Sequence, residues 1–348
     1  MHTVRRPPAM RDVAHLAGVS HQTVSRVVND HPNVRSETRA RVLAAMRALD
    51  YQPNVAARTL ATNRSQTVGL VTFDTTLFGP SFMVHAIERA AREAGYFVSI
   101  ASAREPDVPQ VRDAIRRLRE QAVEGIVTLA PVAAAWTALR QEPLDVPIVG
   151  LGIVGTDGED AGVPMVAIDN TAGAALATRH LLELGHRTVH HIAGPANWPE
   201  ARERRAGWRA ALEDAGRAAP APLAGDWSAA AGYAAGLSLA ERPEVTAVFC
   251  ANDQMAIGVL RALHEAGRRV PRDVSVVGFD DVPEAPYLLP PLTTVRQDFA
   301  ELGRHSLALL VDQISTGSRG GEQFRSAPSL IVRSSTATPL HLENAHKQ

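Results

Sequence analysis

The sequence predicts three parts in order: an N-terminal three-helix helix-turn-helix head, a short hinge helix, and an α/β two-lobed body with two parallel sheets. Three observations predict it. Charge is divided unevenly along the chain, helical periodicity with a turn between two short helices fills residues 10–28, and short apolar runs alternate with helical stretches from Thr67 onward. At 348 residues the chain is also too long for one ordinary core.

The formal net charge of −1 hides an asymmetry, because residues 1–65 hold ten arginines against four acids, a net +6 that leaves −7 for the remainder. A basic head on an acidic body suits a head that meets a polyanion, although a solvated basic face would give the same count. Met10, Val13, Ala14 and Ala17 recur at helical spacing. Gly18 can end that helix in the left-handed conformation. Ser20 suits the N-cap of the next, with Val19 and Val24 at the positions of a hydrophobic staple. Val24, Val27 and Val28 then face inward, while Ser20, His21, Gln22, Thr23, Ser25, Arg26 and Asn29 stay outside or near the N-terminus. The first turn of such a helix is what reaches base edges in a major groove. Gln pairs with adenine, Arg or His with guanine acceptors, and Ser or Thr with phosphates or bases. The competing reading is a surface helix with its polar residues turned to water. A third helix is predicted over roughly 36–49, with Ser36 as its cap and Val42, Leu43, Met46 and Leu49 as its buried face.

MRDVAHLAGVSHQTVSRVVND followed by VRSETRARVLAAMRALDYQPN resembles the DNA-binding head of the lactose-repressor family. The resemblance implies that His21, Gln22 and Arg26 choose bases, that Thr38 and Tyr51 belong to the same DNA-binding set, and that His21, which departs from the tyrosine of the family's namesake, shifts operator preference. It also implies a hinge over 53–65. There Asn54 can cap two turns that are too short to be stable alone. Leu60 matches the family's minor-groove leucine, Ala57 its small neighbour, and Arg58 and Arg64 are expected on phosphates. Leu60 packed on the body is the alternative.

The body, 66–340, is predicted with near nine strands, comfortable for two sheets and large for one. The break is placed near Met165–Asn170. LGH at 184–186, HIAGP at 191–195, RERRAGW at 202–208, GDWSAAAGY at 225–233, ANDQMAIG at 251–258, DVSVVGFDD at 273–281 and PPLTTVRQDFAELG at 290–303 extend the resemblance. It implies a periplasmic-binding-protein-like body with three crossovers, its first lobe about 66–165 and 297–326 and its second about 166–296 and 327–340. A polyol site needs a planar two-pronged donor, a carboxylate, an amide and an apolar wall. Arg204, Asp280 and Asn252 provide the first three, Trp227 a wall, and Gln297 and Phe299 line the crossing segment; all six match ligand-contacting positions of the family. Arg204 could instead lie on a solvated helix face, and Asp280 with Asp281 could serve a turn. The near wall carries Phe73, Phe78, Gly79 and Met83. The acidic sugar contact of the family's namesake falls on Gly152 and its asparagine contact on Leu129. One side of the pocket is therefore expected to be less polar, favouring a glycoside with a larger or more apolar aglycone, or another sugar.

GLGIVG at 150–155 satisfies the dinucleotide fingerprint, but the acidic loop TDGEDAG follows where a helix should begin, so no cofactor is expected. His190, His191, His264 and His305 lack metal spacing with a carboxylate and read as packing or surface residues. Cys250, the one cysteine, lies in the apolar run AVFC and reads as a buried structural thiol. No run reaches the ~20 apolar residues of a membrane span, and Pro7 and Pro8 follow the N-terminal arginines where a signal would continue apolar, so the cytoplasm is expected. The tail, 341–348, lacks heptads, so a dimer is expected, with contacts near 81–94, 254–265 and 285–290. Together these readings predict a sugar-responsive repressor. It would be a homodimer on double-stranded, near-palindromic operator DNA, released when a small sugar or glycoside shifts the lobes and separates the hinge helices. A corepressor-dependent regulator is the alternative within the family, a plain sugar-binding protein and an NAD-linked enzyme those outside it.

Overall fold

The computed structural model describes residues 8–29, 31–52, 64–73, 76–103, 108–129, 146–152, 163–318 and 320–340. The chain divides into two compact units, Met1–Gln66 and Thr67–Gln348.

In the first unit, α1 (Met10–Ala17) opens where the Asp12 carboxylate accepts the Ala9 N–H at 2.7 Å. It closes at Gly18, whose φ of 62° is open to a residue without a Cβ. The second helix, α2 (His21–Val28), begins at Ser20, whose Oγ accepts the Thr23 N–H at 3.1 Å. Such a cap stabilises a helix by about 1 kcal/mol. Val13, Val24 and Val42 are fully buried and join the two helices to α3 (Ser36–Ala48) in one small core. Two details of α3 differ from the sequence reading. Arg35, not Ser36, holds the N-cap position, and no side chain bonds there. Leu43 is 44% exposed, because the buried face runs through Val42, Ala45 and Met46, a turn of about 100° away from it.

The second unit holds two six-stranded sheets. The first sheet, in spatial order, is β11 (Gln323–Ser326), β5 (Met165–Ile168), β4 (Ile148–Leu151), β3 (Ile126–Leu129), β1 (Thr67–Phe73) and β2 (Phe97–Ala103), all parallel. The second is β12 (Ser329–Ile331), β10 (Thr293–Arg296), β9 (Ser275–Asp280), β8 (Ala247–Cys250), β6 (His190–Ala193) and β7 (Leu223–Ala224), with only the β10–β12 pair antiparallel. Helices α4 (Phe78–Glu93), α5 (Val108–Glu120) and α10 (Phe299–Thr316) pack on the first sheet. Helices α6 (Asn170–Glu183), α7 (Pro199–Asp214), α8 (Ala229–Ala240) and α9 (Asp253–Glu265) pack on the second. β1, β3, β4, β6 and β8 are buried almost throughout, as sheets covered on both faces require.

The described strands number twelve rather than near nine. β7, β10, β11 and β12 are the additions, short or half polar and so without a continuous apolar signature. The change of sheet follows Ile168, within the expected break at 165–170 and three residues past the first-lobe bound of about 165, since β5 pairs with β4 and β11. The expected helix over 132–140, the hinge residues Asn54, Ala57, Arg58 and Leu60, and the tail 341–348 lie outside the described residues. Cys250 is fully buried, and burial pushes its thiol pKa up.

Candidate functional site

On the head, the sequence-predicted contact residues share one side of α2. Ser20, His21, Gln22, Arg26 and Asn29 are exposed, Thr23 and Ser25 half-buried, and Val24 and Val27 closed off in the core. Ser20 Oγ lies 2.9 Å from Thr23 Oγ1, and Asn29 Nδ2 donates to Ser25 Oγ at 3.4 Å. Gln22 and Arg26, one turn apart, are thus held out by a helix whose opposite stripe is locked. Thr38, in the first turn of α3, is half-buried. Tyr51 differs from the outward residues: its ring is packed in the head core at 8% exposure, and burial raises its phenol pKa.

In the body, a cavity of about 310 Å³ collects all nine residues expected at a ligand site: Phe73, Phe78, Met83, Arg204, Trp227, Asn252, Asp280, Gln297 and Phe299. Topology explains the gathering. Phe73, Leu129, Leu151 and Ile168 are the last residues of β1, β3, β4 and β5, and Asp280 is the last of β9. Both sheets therefore open at their carboxyl ends onto the same space, where ligands of α/β sheets gather.

Arg204 lies on the inward face of α7 with Ala201, Gly207 and Trp208, while Arg202 and Arg205 point outward. The solvated-face reading therefore fails for Arg204. Its Nε donates to Asn170 Oδ1 at 2.9 Å and its Nη1 to the Ala251 carbonyl at 2.5 Å. The Asp280 carboxylate stands 3.5 Å from Nη1. The guanidinium also lies 3.8 Å above the Phe279 ring. Burial lowers the Arg204 pKa, and Asp280, then Glu200 and Glu203, oppose that shift. Burial pushes the Asp280 carboxyl up to about 6 against the pull of Arg204 and Gln297. Gln297 Nε2 donates to Asp280 Oδ1 at 2.6 Å, so both neighbours use the same oxygen and Oδ2 is left for a ligand hydroxyl.

Trp227 and Asp280 have φ values of 73° and 122°, conformations that cost a non-glycine residue about 1–3 kcal/mol each and persist only when surroundings enforce them. For Trp227, the enforcement comes from Asn252, whose Nδ2 donates to the Trp227 carbonyl at 3.0 Å. Gly194 lies so close that a Cβ there would meet the Trp227 ring at 2.3 Å. For the turn after Asp280, Asp253 accepts the Val282 N–H at 2.9 Å and the Thr294 hydroxyl at 2.6 Å, while Asp281 binds Arg296 and Arg333, each at 2.6 Å. Asn252 is accordingly engaged already: its amide hydrogens reach Trp227 and Gln254, and its Oδ1 caps α9 through the Met255 N–H at 3.0 Å. One Oδ1 lone pair remains for a ligand.

The two sides of the cavity differ. From the first sheet and α4 come Phe73, Leu77, Phe78, Met83, Leu129 and Leu151, with Thr76 beside them. The second sheet's side carries Arg204, Asp280, Asn252 and Glu200. Gly152, where the resemblance places an acid, lines the cavity with a φ of 135°. Glu200, Trp198 and Asn170 also line the cavity, with no signal in the sequence that sets them apart. Glu200 is in the first turn of α7, where an acid reads simply as a helix-dipole partner.

The family described as bacterial regulatory proteins, lacI family, matches residues 9–54, and a periplasmic binding protein-like domain matches residues 178–336. The lactose operon repressor of Escherichia coli (strain K12) is 36% identical over 336 residues, covering 96% of this chain and 92% of that protein. This chain belongs to the lacI family. Among solved structures, the lac repressor dimer bound to operator and the anti-inducer ONPF is similar with a TM-score of 0.85 at 36% identity, covering 95% of this chain and 100% of that one. The complex of the transcriptional regulator CelR with cellobiose has a TM-score of 0.71 at 34% identity, covering 94% and 99%. This lacI-family chain thus carries the two parts its relatives carry, a helix-turn-helix head and a two-sheet body. Among its described residues no helix is long and apolar enough to cross a membrane, and no group of three or more His, Cys, Asp or Glu side chains could hold a metal ion. His191 is buried between Trp208 and Phe249, and desolvation takes its pKa down to about 4, which keeps it neutral.

Proposed function

We propose that this lacI-family protein is a sugar-responsive transcriptional repressor rather than an enzyme, acting in the cytoplasm as a homodimer on a near-palindromic operator, one head per half-site. The observation that carries the sugar reading is the buried fork of Arg204 beside Asp280, at the carboxyl ends of two sheets. It offers a planar donor and a carboxylate to adjacent hydroxyls, with Trp227 as the wall. The names of the similar proteins point the same way, one bound to operator and one to cellobiose. His21, Gln22 and Arg26 read bases. Ser20, Thr23, Ser25, Asn29 and Thr38 position the head, with Tyr51 supporting it from the core. Asn54, Ala57, Arg58 and Leu60 belong to the hinge that orders on DNA. Ligand and operator favour different lobe arrangements, so each weakens the other by the same factor.

A dimer has material for its contact. Phe97 and Ile100 on β2, an edge strand, are 62% and 51% exposed, and Tyr287 and Leu289 are 83% and 93% exposed. Apolar side chains on an open strand edge invite pairing.

Selection of genomic fragments by the purified protein, with and without a broad sugar panel, tests the whole reading. Operator affinity is expected to fall roughly a thousandfold or more between about 50 and about 200 mM salt, because several phosphates are neutralised. Capture of no fragment under any condition would remove the DNA-binding reading, and a captured fragment whose affinity no sugar alters would remove the sugar.

A further inference from the structure

Among the described residues, two acids and one cation line the cavity: Asp280, Glu200 and Arg204. Arg204 is already committed. Asp280 stands 3.5 Å from its Nη1, and Asn170 and the Ala251 carbonyl accept from it. Glu203, on the same helix as Glu200, is matched by Arg325 at 3.6 Å and by the Asn170 amide at 3.2 Å. Glu200 has neither kind of match. Its Oε2 is buried without a hydrogen-bond partner, and no cation lies within ion-pair distance of it among the described residues. Burial raises its pKa, against its own backbone N–H and Arg204, which favour the charge. An acid in this condition lacks two things, a hydrogen-bond donor and a positive charge. A hydroxyl supplies the first alone, whereas an ammonium group supplies both.

The surroundings of Glu200 suit a cation. Trp198 sits at the N-cap of α7, two residues before Glu200, and its ring meets Trp227 edge-on at 5.7 Å, with both rings on the cavity wall. Indole is the aromatic face that attracts cations best. Arg204 shows that attraction within the same wall, its guanidinium 3.8 Å from the centroid of Phe279 and 5.5 Å from that of Trp227. Trp227 Nε1 is the second buried polar atom here without a partner, and it is a donor. It needs an acceptor where Glu200 needs a donor. An amine beside an oxygen on one ligand answers both, and buried polar groups in folded proteins are almost always paired.

We infer that the effector carries a protonated amine, as an amino sugar or an amino-substituted glycoside does, and that the Glu200 carboxylate holds its ammonium group beside Trp198 and Trp227. Trp227 Nε1 donates to a neighbouring oxygen of the same ligand. Glu200 is then the residue that selects a cationic ligand over a neutral one. This rests on the sugar reading above and goes further by giving the ligand's charge and the side chain that reads it.

The test is isothermal titration of the full-length protein at near-neutral pH. The probes are glucosamine, galactosamine and mannosamine, each beside its N-acetyl derivative and its parent sugar, and aminoethyl glycosides of the same three sugars beside the ethyl glycosides. At least one amine is expected to bind tenfold or more tighter than its neutral counterparts. Glu200→Gln, which keeps the shape without the charge, is expected to bring that ratio down to threefold or less. Glu200→Asp, which keeps the charge, is expected to hold the ratio above threefold. Glu200→Ala is read in the same way as the glutamine variant if that variant is unstable. Trp227→Phe, which keeps a ring but not the N–H, should weaken the amine about fivefold. Neutral sugars that bind as tightly as their amines, or a ratio that survives the loss of the Glu200 charge, would overturn the inference while leaving a sugar effector standing. No binding by any member would take down the sugar reading and the inference together.

Discussion

The two sheets of the body are built on one plan and end in opposite chemistry. In spatial order both run from a late-sequence edge strand inward to a reversal, at β1 and β3 in one and at β6 and β8 in the other. Both direct their carboxyl ends at one cavity. Yet the first sheet ends there in Phe73, Leu129, Leu151 and Ile168, and the second in Asp280, with Arg204 and Asn252 beside it. The lesson is a separation of tasks. Topology decides where a strand's last side chain goes, and the identity of that one residue decides what it can hold. A side chain at a strand end can change without disturbing the ladder behind it, so one fold can be re-aimed at different ligands.

The polar side should dominate affinity. Arg204→Ala leaves Asp280 buried and uncompensated, a loss of about 3–5 kcal/mol for a broken buried pair. Calorimetry should show the body's thermal transition falling and ligand response lost. Arg204→Lys, which keeps charge but loses the fork, should retain the fold with ligand affinity down roughly a hundredfold. Retained response in either variant would take Arg204 out of the site. Next in size is pH. Burial pushes the Asp280 carboxyl up to about 6, above its ordinary range, so the proton is held more tightly folded than unfolded. From this group alone, stability of the body falls as pH rises from near 4 to about 6 and levels off above. Ligand affinity runs the other way: hydroxyls need the carboxylate, so below that pKa binding should weaken toward about tenfold per pH unit, and Asp280→Asn should flatten the profile. A profile flat in the parent would mean that Asp280 meets the ligand in its neutral form.

On the apolar side the expected effects are smaller and reversed. Leu129→Asn brings an amide to the first sheet's end. Affinity for a ligand with an apolar half should drop several-fold, with little change for a plain sugar, as titration would show. The smallest effect belongs to the head. Ser20→Ala removes the cap of α2 and should cost about 1 kcal/mol in the head's thermal unfolding, with ligand affinity untouched; a change in ligand affinity would deny that the body binds on its own.

Legibility followed the range of the interactions. The α2 stripe, Gly18 and the Ser20 cap were readable because each depends on residues within one or two turns. The apolar strands β1, β3, β6, β8 and β9 were readable for the same reason. The short strands β7 and β12 were not, since only a neighbouring strand from elsewhere in the chain makes them strands. Leu43 misled because helical periodicity leaves neighbouring positions indistinguishable when the pattern is weak. Among site residues, Arg204 is legible through its surrounding motif, while Glu200 is indistinguishable in sequence from any acid in a first turn.

Sequence alone therefore determined a helical head ahead of an α/β body, α1 and α2 with the turn at Gly18 and the cap at Ser20, the apolar strands and the residue types that converge on the cavity. Tertiary structure decided which oxygen of Asp280 stays free, that Asn252 spends its amide holding Trp227 in a strained backbone, that Tyr51 belongs to a core, and that Glu200 and Trp227 face the same cavity unpaired. The reason is physical. Helical and strand preferences are set by neighbours a few residues away. Desolvation and the completion of hydrogen bonds depend on every group that closes around an atom, and those groups arrive from β1, β9, α7 and α10, far apart in the chain.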